Sequence, residues 1–127
     1  IHVVHGSKTG LTLPSLDDCA VLSARFGLAA TIVVDACQLR ISPAAVRAYL
    51  DLGCVVLATG SKSANGAPFS GFALVPHALV SAAAPLTDGY RLLARSAEWP
   101  AIWPGRDRLA AESNPGLALR LAGALFE

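Results

Sequence analysis

Three short apolar runs, each followed by a polar cluster and separated from the next by a bracketed helical stretch, constrain this chain more than any other feature. The first run, Ile1–His5, is β-branched and ends in the turn cluster Gly6, Ser7, Lys8, Thr9 and Gly10. The second, Thr31–Val34, meets an acid abruptly at Asp35, and the third, Cys54–Ala58, runs into Thr59, Gly60, Ser61 and Lys62. Between the first two, Ser15 with Asp18 three residues later makes a capping box for a helix from Leu16 to Phe26 that stops at Gly27. Between the second and third, Ser42 as N-cap, Pro43 as first helical residue and Gly53 after the last turn bracket a helix over Pro43–Leu52. Strands joined by helices in this order build a parallel sheet with right-handed crossovers.

The segment Gly71–Pro76 behaves differently. Only the loop Ser63–Ser70 separates it from the Lys62 turn, and a parallel return needs about a dozen residues or more, so an antiparallel neighbour is expected. Beyond it the pattern predicts a helix around Leu86–Ser96, an irregular stretch Trp99–Gly105, and a last helix capped by Asn114 with Pro115 at its first position. The expected fold class is α/β: a mostly parallel sheet with flanking helices and one antiparallel strand.

A chain of 127 residues, 54% hydrophobic, suits one α/β unit and not two domains. Only 15% of residues are charged and the formal net charge is +1, too little basic surface to neutralise many phosphates, so nucleic acid is not an expected partner. Apolar runs such as Ala29–Val34 and Ala78–Pro85 fall well below the ~20 residues that span a bilayer. No membrane partner is expected, and the default location is cytoplasmic. Cys19, Cys37 and Cys54 lack zinc-ligand spacing and read as free, buried thiols. The chain starts at Ile1, has no methionine and stops within the apolar pattern Leu117–Phe126, which reads as an unfinished helix; a piece of a longer domain is expected.

Open parallel sheets bind ligands beyond the carboxyl ends of their strands. Ser7 to Thr9, Asp35 to Gln38 and Thr59 to Lys62 all fall there, so one crevice could gather them. An unpaired carboxylate at the end of a buried strand is costly, so Asp35 either caps its turn or meets a cationic partner. Lys62, on its glycine- and serine-rich turn, is either a solvated charge or a reactive amine. Other arrangements fail on spacing. Gly6-Ser7-Lys8-Thr9 lacks the adjacent Gly-Lys and the upstream glycine of a Walker A loop. Cys37 has Pro43 where a phosphatase loop needs arginine and reads as a core thiol. Arg40 reads as a surface residue or a carboxylate-binding group, and Trp99 and Trp103 as packing under a loop.

The segments VVDACQLR, Val33–Arg40, and TGSKSANGAPFSGFALVP, Thr59–Pro76, together resemble the aspartate and lysine segments of fold-type I pyridoxal 5'-phosphate (PLP) enzymes, nearest the class V aminotransferase and cysteine desulfurase-like branch. The likeness extends upstream to HGSKTGLTLPS, His5–Ser15, and becomes generic after Pro76. It implies that residues 1–127 form the central to C-terminal part of a PLP-binding large domain. It further implies a PLP-dependent transferase or lyase, aminotransferase-like, acting on an amino acid as a homodimer, in which Lys62 forms the Schiff base and then serves as general base. Asp35 would keep the pyridine nitrogen protonated, which makes the ring a better electron sink. Gln38 would bond the ring hydroxyl oxygen, Thr59 and Ser61 would hold the phosphate, and Ser7 would lie on the ring-hydroxyl side. The family's glycine-rich phosphate loop, its ring-stacking residue and its small domain are not in this chain, and Ser61 stands where many class V members place histidine. The competing expectation is a non-catalytic α/β ligand-binding or degenerate module.

Overall fold

A computed structural model describes residues 1–125. Its sheet is α/β and mixed, with strands β1 (His2–Val4), β2 (Val33–Asp35), β3 (Val55–Thr59) and β4 (Gly71–Leu74) in that spatial order. The pairs β1–β2 and β2–β3 are parallel and β3–β4 is antiparallel, as the short connection after Lys62 requires. Two helices supply the crossovers, α1 (Leu16–Phe26) and α2 (Pro43–Asp51).

Both helices begin where local chemistry dictates. The Asp18 amide donates to Ser15 Oγ at 3.1 Å and the Ser15 amide donates back to Asp18 Oδ2 at 2.9 Å, which satisfies two otherwise orphaned donors. The Ala45 amide donates to Ser42 Oγ at 3.2 Å, with Pro43 at the first helical position. Each helix is followed by a glycine at positive φ, Gly27 at 49° and Gly53 at 80°.

Register places Val3, Val34 and Val56 side by side across three strands, and all three are buried under Cys19 of α1 and Tyr49 of α2. Each such valine stabilises the fold by roughly 1.5–3 kcal/mol. The neighbouring row Val4, Asp35 and Leu57 points the other way and is half-buried. Burial pushes the Cys54 thiol up to about 11 and also raises Cys19, so these two are inert core groups. Cys37 departs from the core assignment: it is half-buried, just beyond β2.

The strand ends differ from the sequence expectation by one or two residues. Strand β2 includes Asp35, and β3 continues to Thr59 because Thr59 pairs with Gly71 of β4. Strand β4 stops at Leu74, and a short helix α3 (His77–Ser81) follows.

The helix expected over Leu86–Ser96 does not form. Its two ends are drawn into tertiary backbone bonds, Leu86 N–H to Pro104 O at 2.9 Å and Ser96 N–H to Ala110 O at 2.9 Å. Gly89 weakens the middle, and Leu92 and Leu93 stay exposed, so no buried face supports a full helix. Short 3-10 turns at Asp88–Leu92 and Ser96–Glu98 remain.

The final helix α4 (Pro115–Leu125) is capped by Asn114, whose Oδ1 accepts the Leu117 amide at 3.1 Å. The Phe126 end of the apolar pattern lies outside the described residues. No helix among the described residues is long and apolar enough to cross a membrane.

Candidate functional site

The three parallel strands end together, with Val4, Asp35 and Leu57 in register, so the segments that follow them share one edge of the sheet. A cleft of about 190 Å³ opens there, lined by Val4, His5, Ser7, Lys8, Asp35, Cys37, Gln38 and Lys62. Four of the six residues singled out from the sequence, Ser7, Asp35, Gln38 and Lys62, therefore face a common space. Thr59 and Ser61 do not line it. Their hydroxyls lie 2.9 Å apart and bond each other on the adjoining turn, where Thr59 is buried.

Each loop is held to the sheet. The His5 amide donates to Asp35 O at 3.0 Å and the Ala36 amide to Leu57 O at 2.9 Å, which continues the ladder past the strand ends. The Ser7–Leu11 turn closes on itself: the Leu11 amide donates to Ser7 Oγ and the Ser7 amide to Leu11 O, each at 3.0 Å. Across the gap, Arg40 Nη1 donates to Ser7 O at 3.0 Å and Lys8 O at 2.8 Å, so this guanidinium ties the first loop to the second. Gly6 makes the approach possible. Its φ is 62°, and a Cβ there would lie 2.6 Å from Arg40 O.

The electrostatics centre on Asp35. Hydrogen bonds from the Cys37 amide, at 3.0 Å to Oδ1, and from the Cys37 thiol hold its carboxyl below the usual range; burial opposes them, and the charges of Lys62 and His2 add to them. Asp35 thus does cap its turn, through Oδ1. The Cys37 thiol is raised by burial and by its bond to Asp35, against the pull of Lys62, so it is a poor nucleophile.

Sequence reasoning passed over His5. Its Nδ1 lies 3.0 Å from Tyr49 Oη, and the rings meet edge to face with centroids 5.5 Å apart. Burial lowers the His5 pKa, which favours the neutral ring. Only the β-branched run before it hinted at a strand end there, and nothing local marks its partner in α2.

A larger groove of about 1040 Å³ lies beside β4, walled by Phe72, Leu74, Trp99, Trp103, Leu117 and others. Trp99 and Trp103 pack edge to face there, with centroids 4.9 Å apart, as expected of packing groups. The groove is mainly apolar and has no lysine in its lining. Among the described residues no group of three or more His, Cys, Asp or Glu is placed to hold a metal ion. Comparison with known proteins finds no family model, curated protein or solved structure that matches the chain.

Proposed function

We propose that the cleft binds PLP in a PLP-dependent transferase or lyase acting on an amino acid, aminotransferase-like, with Lys62 as the Schiff-base residue. One observation supports this above the rest: Asp35 and Lys62, on different strand ends, line one cleft and attract each other without forming an ion pair among the described residues. A carboxylate for a pyridine nitrogen and an amine for an aldehyde are the two groups this cofactor's chemistry needs in one site. The bound cofactor would supply an electron sink for the substrate's α-carbon.

The donor set suits the ring. Asp35 would face a protonated nitrogen with its carboxylate, while Gln38 and Ser7 offer side-chain polar groups to a ring hydroxyl oxygen. Lys62 would supply the amine that holds the cofactor through its aldehyde. Thr59 and Ser61 would exchange their mutual hydrogen bond for the phosphate oxygens. In keeping with the family resemblance, the chain would be part of the large domain of a homodimeric, cytoplasmic enzyme.

The second reading, a non-catalytic or degenerate ligand-binding module, draws on the cleft's size. Its 190 Å³ is below the roughly 300–1,000 Å³ of small-molecule sites, and Asp35 already has a capping role. Borohydride reduction of PLP-loaded protein, followed by peptide mass mapping, decides between them. The phosphopyridoxyl label is expected on Lys62. A label on Lys8, or none at saturating PLP, would overturn the assignment.

A further inference from the structure

We infer that Lys8 is an oxyanion-binding residue of this cleft, on a backbone held in place by Arg40. The inference rests on the PLP reading of the site. The cleft is lined by two ammonium groups, Lys8 and Lys62, and by one carboxylate, Asp35. Once Lys62 is joined to the cofactor and Asp35 faces the ring nitrogen, Lys8 is the cation left without a counter-charge. Among the described residues it has no ion-pair partner, and an unmatched cation beside a ligand favours an anion there.

Lys8 is not simply a charge on a loose loop. Its carbonyl oxygen accepts from Arg40 Nη1 at 2.8 Å, and the Ser7 carbonyl accepts from the same nitrogen at 3.0 Å. The Gly10 amide closes the turn onto Ser7 O at 2.8 Å, and Ser7 Oγ lies 3.0 Å from Thr9 Oγ1. The backbone that carries Lys8 is thereby fixed beside the Asp35 loop, and less ordering is left to be done when the ligand arrives. With Thr59 and Ser61 bonded to each other outside the cleft lining, Lys8 and Lys62 are its two cationic groups. The ligand chemistry is an oxyanion, from one of two sources: the cofactor's phosphate or the amino-acid substrate's carboxylate.

Four probes separate these sources in wild type, Lys8→Ala and Lys8→Arg: PLP, pyridoxal, pyridoxamine 5'-phosphate and the stable adduct N-(5'-phosphopyridoxyl)-L-alanine. A phosphate contact predicts that Lys8→Ala raises the half-saturating PLP concentration about tenfold or more, with pyridoxal unchanged. A carboxylate contact predicts the same loss for the alanine adduct, with pyridoxamine 5'-phosphate unchanged. In either case Lys8→Arg retains most of the affinity, and the melting temperature of Lys8→Ala matches wild type because the side chain is exposed. Unaltered binding of all four probes by Lys8→Ala overturns the role of Lys8 while the PLP reading stands. Wild-type protein that takes no label on Lys62 overturns both.

Discussion

The Asp35 carboxylate accepts the Cys37 amide at 3.0 Å while Asp35 lines the cleft with Lys62, so one side chain both shapes the loop after β2 and faces the cleft. The two roles are separable by experiment. Asparagine keeps an oxygen for the capping bond but cannot carry the charge. Asp35→Asn is therefore expected to stay folded at neutral pH with a modestly lower melting temperature, while PLP-dependent turnover falls by about tenfold or more. Because hydrogen bonds depress the folded-state pKa of Asp35, its charge stabilises the fold above the ordinary carboxyl value near 3.8 and loses that effect as pH falls through the lowered value. The variant should show a shallower loss of stability in that acid window. Unchanged turnover would leave Asp35 as a capping residue alone.

Gly6 combines a positive φ with a close backbone neighbour. At φ 62°, alanine carries the left-handed strain of about 1–2 kcal/mol, and its Cβ would also press on Arg40 O and Cβ. Gly10 has a similar φ of 82° but open space around it. In urea unfolding, Gly6→Ala should destabilise by more than Gly10→Ala, and it alone should weaken PLP uptake. Equal losses would mean that the contact with Arg40 is easily relieved.

Burial of His5 is expected to make stability depend on pH near neutrality. Burial lowers the folded-state pKa of His5 from 6.5, so between that lowered value and 6.5 the unfolded chain binds more protons than the folded one. Stability should therefore decline as pH falls from about 7 and level off once the folded ring also protonates. Chemical denaturation across this range should show the decline in wild type and a flatter profile in His5→Gln. Tyr49→Phe, which leaves Nδ1 without its partner, should be less stable by about 1 kcal/mol. A His5→Gln profile that parallels wild type would assign the slope to other groups.

What could be read in the sequence was local. Ser15 with Asp18, and Ser42 with Pro43, start their helices through bonds that span three residues, and both helices begin where those signals stand. The convergence of Ser7, Asp35, Gln38 and Lys62 followed from strand ends in a parallel sheet, which is a rule of topology. The features that escaped depend on distant partners. Arg40 reaches carbonyls 33 and 32 residues away, and His5 meets a tyrosine 44 residues on. The expected helix over Leu86–Ser96 failed in part for the same reason: Ala110 O takes the Ser96 amide that the last turn would use, and no local pattern announces it.

The turn that carries Lys62 is held from outside by α4, and this contact gives the last prediction. A Cβ added at Gly60 or at Gly66 would collide with Ala124 Cβ, while the Gly66 amide donates to Gly60 O at 2.8 Å and the Gly60 amide to Ser70 O at 3.1 Å. Neither glycine has a positive φ, so alanine at either position is opposed by neighbours and not by backbone strain. At Gly60 the severe clash is with Ala124 alone, since the next atom is Ser70 Oγ at 3.2 Å, whereas at Gly66 the Gly60 carbonyl also lies 2.8 Å away. Gly60→Ala should therefore destabilise by about 1–3 kcal/mol, and Ala124→Gly, mild by itself, should recover most of that loss in the double variant. Gly66→Ala should be recovered less, because the carbonyl clash remains. A coupling energy near zero between positions 60 and 124 would show that α4 does not press on the Lys62 turn in solution.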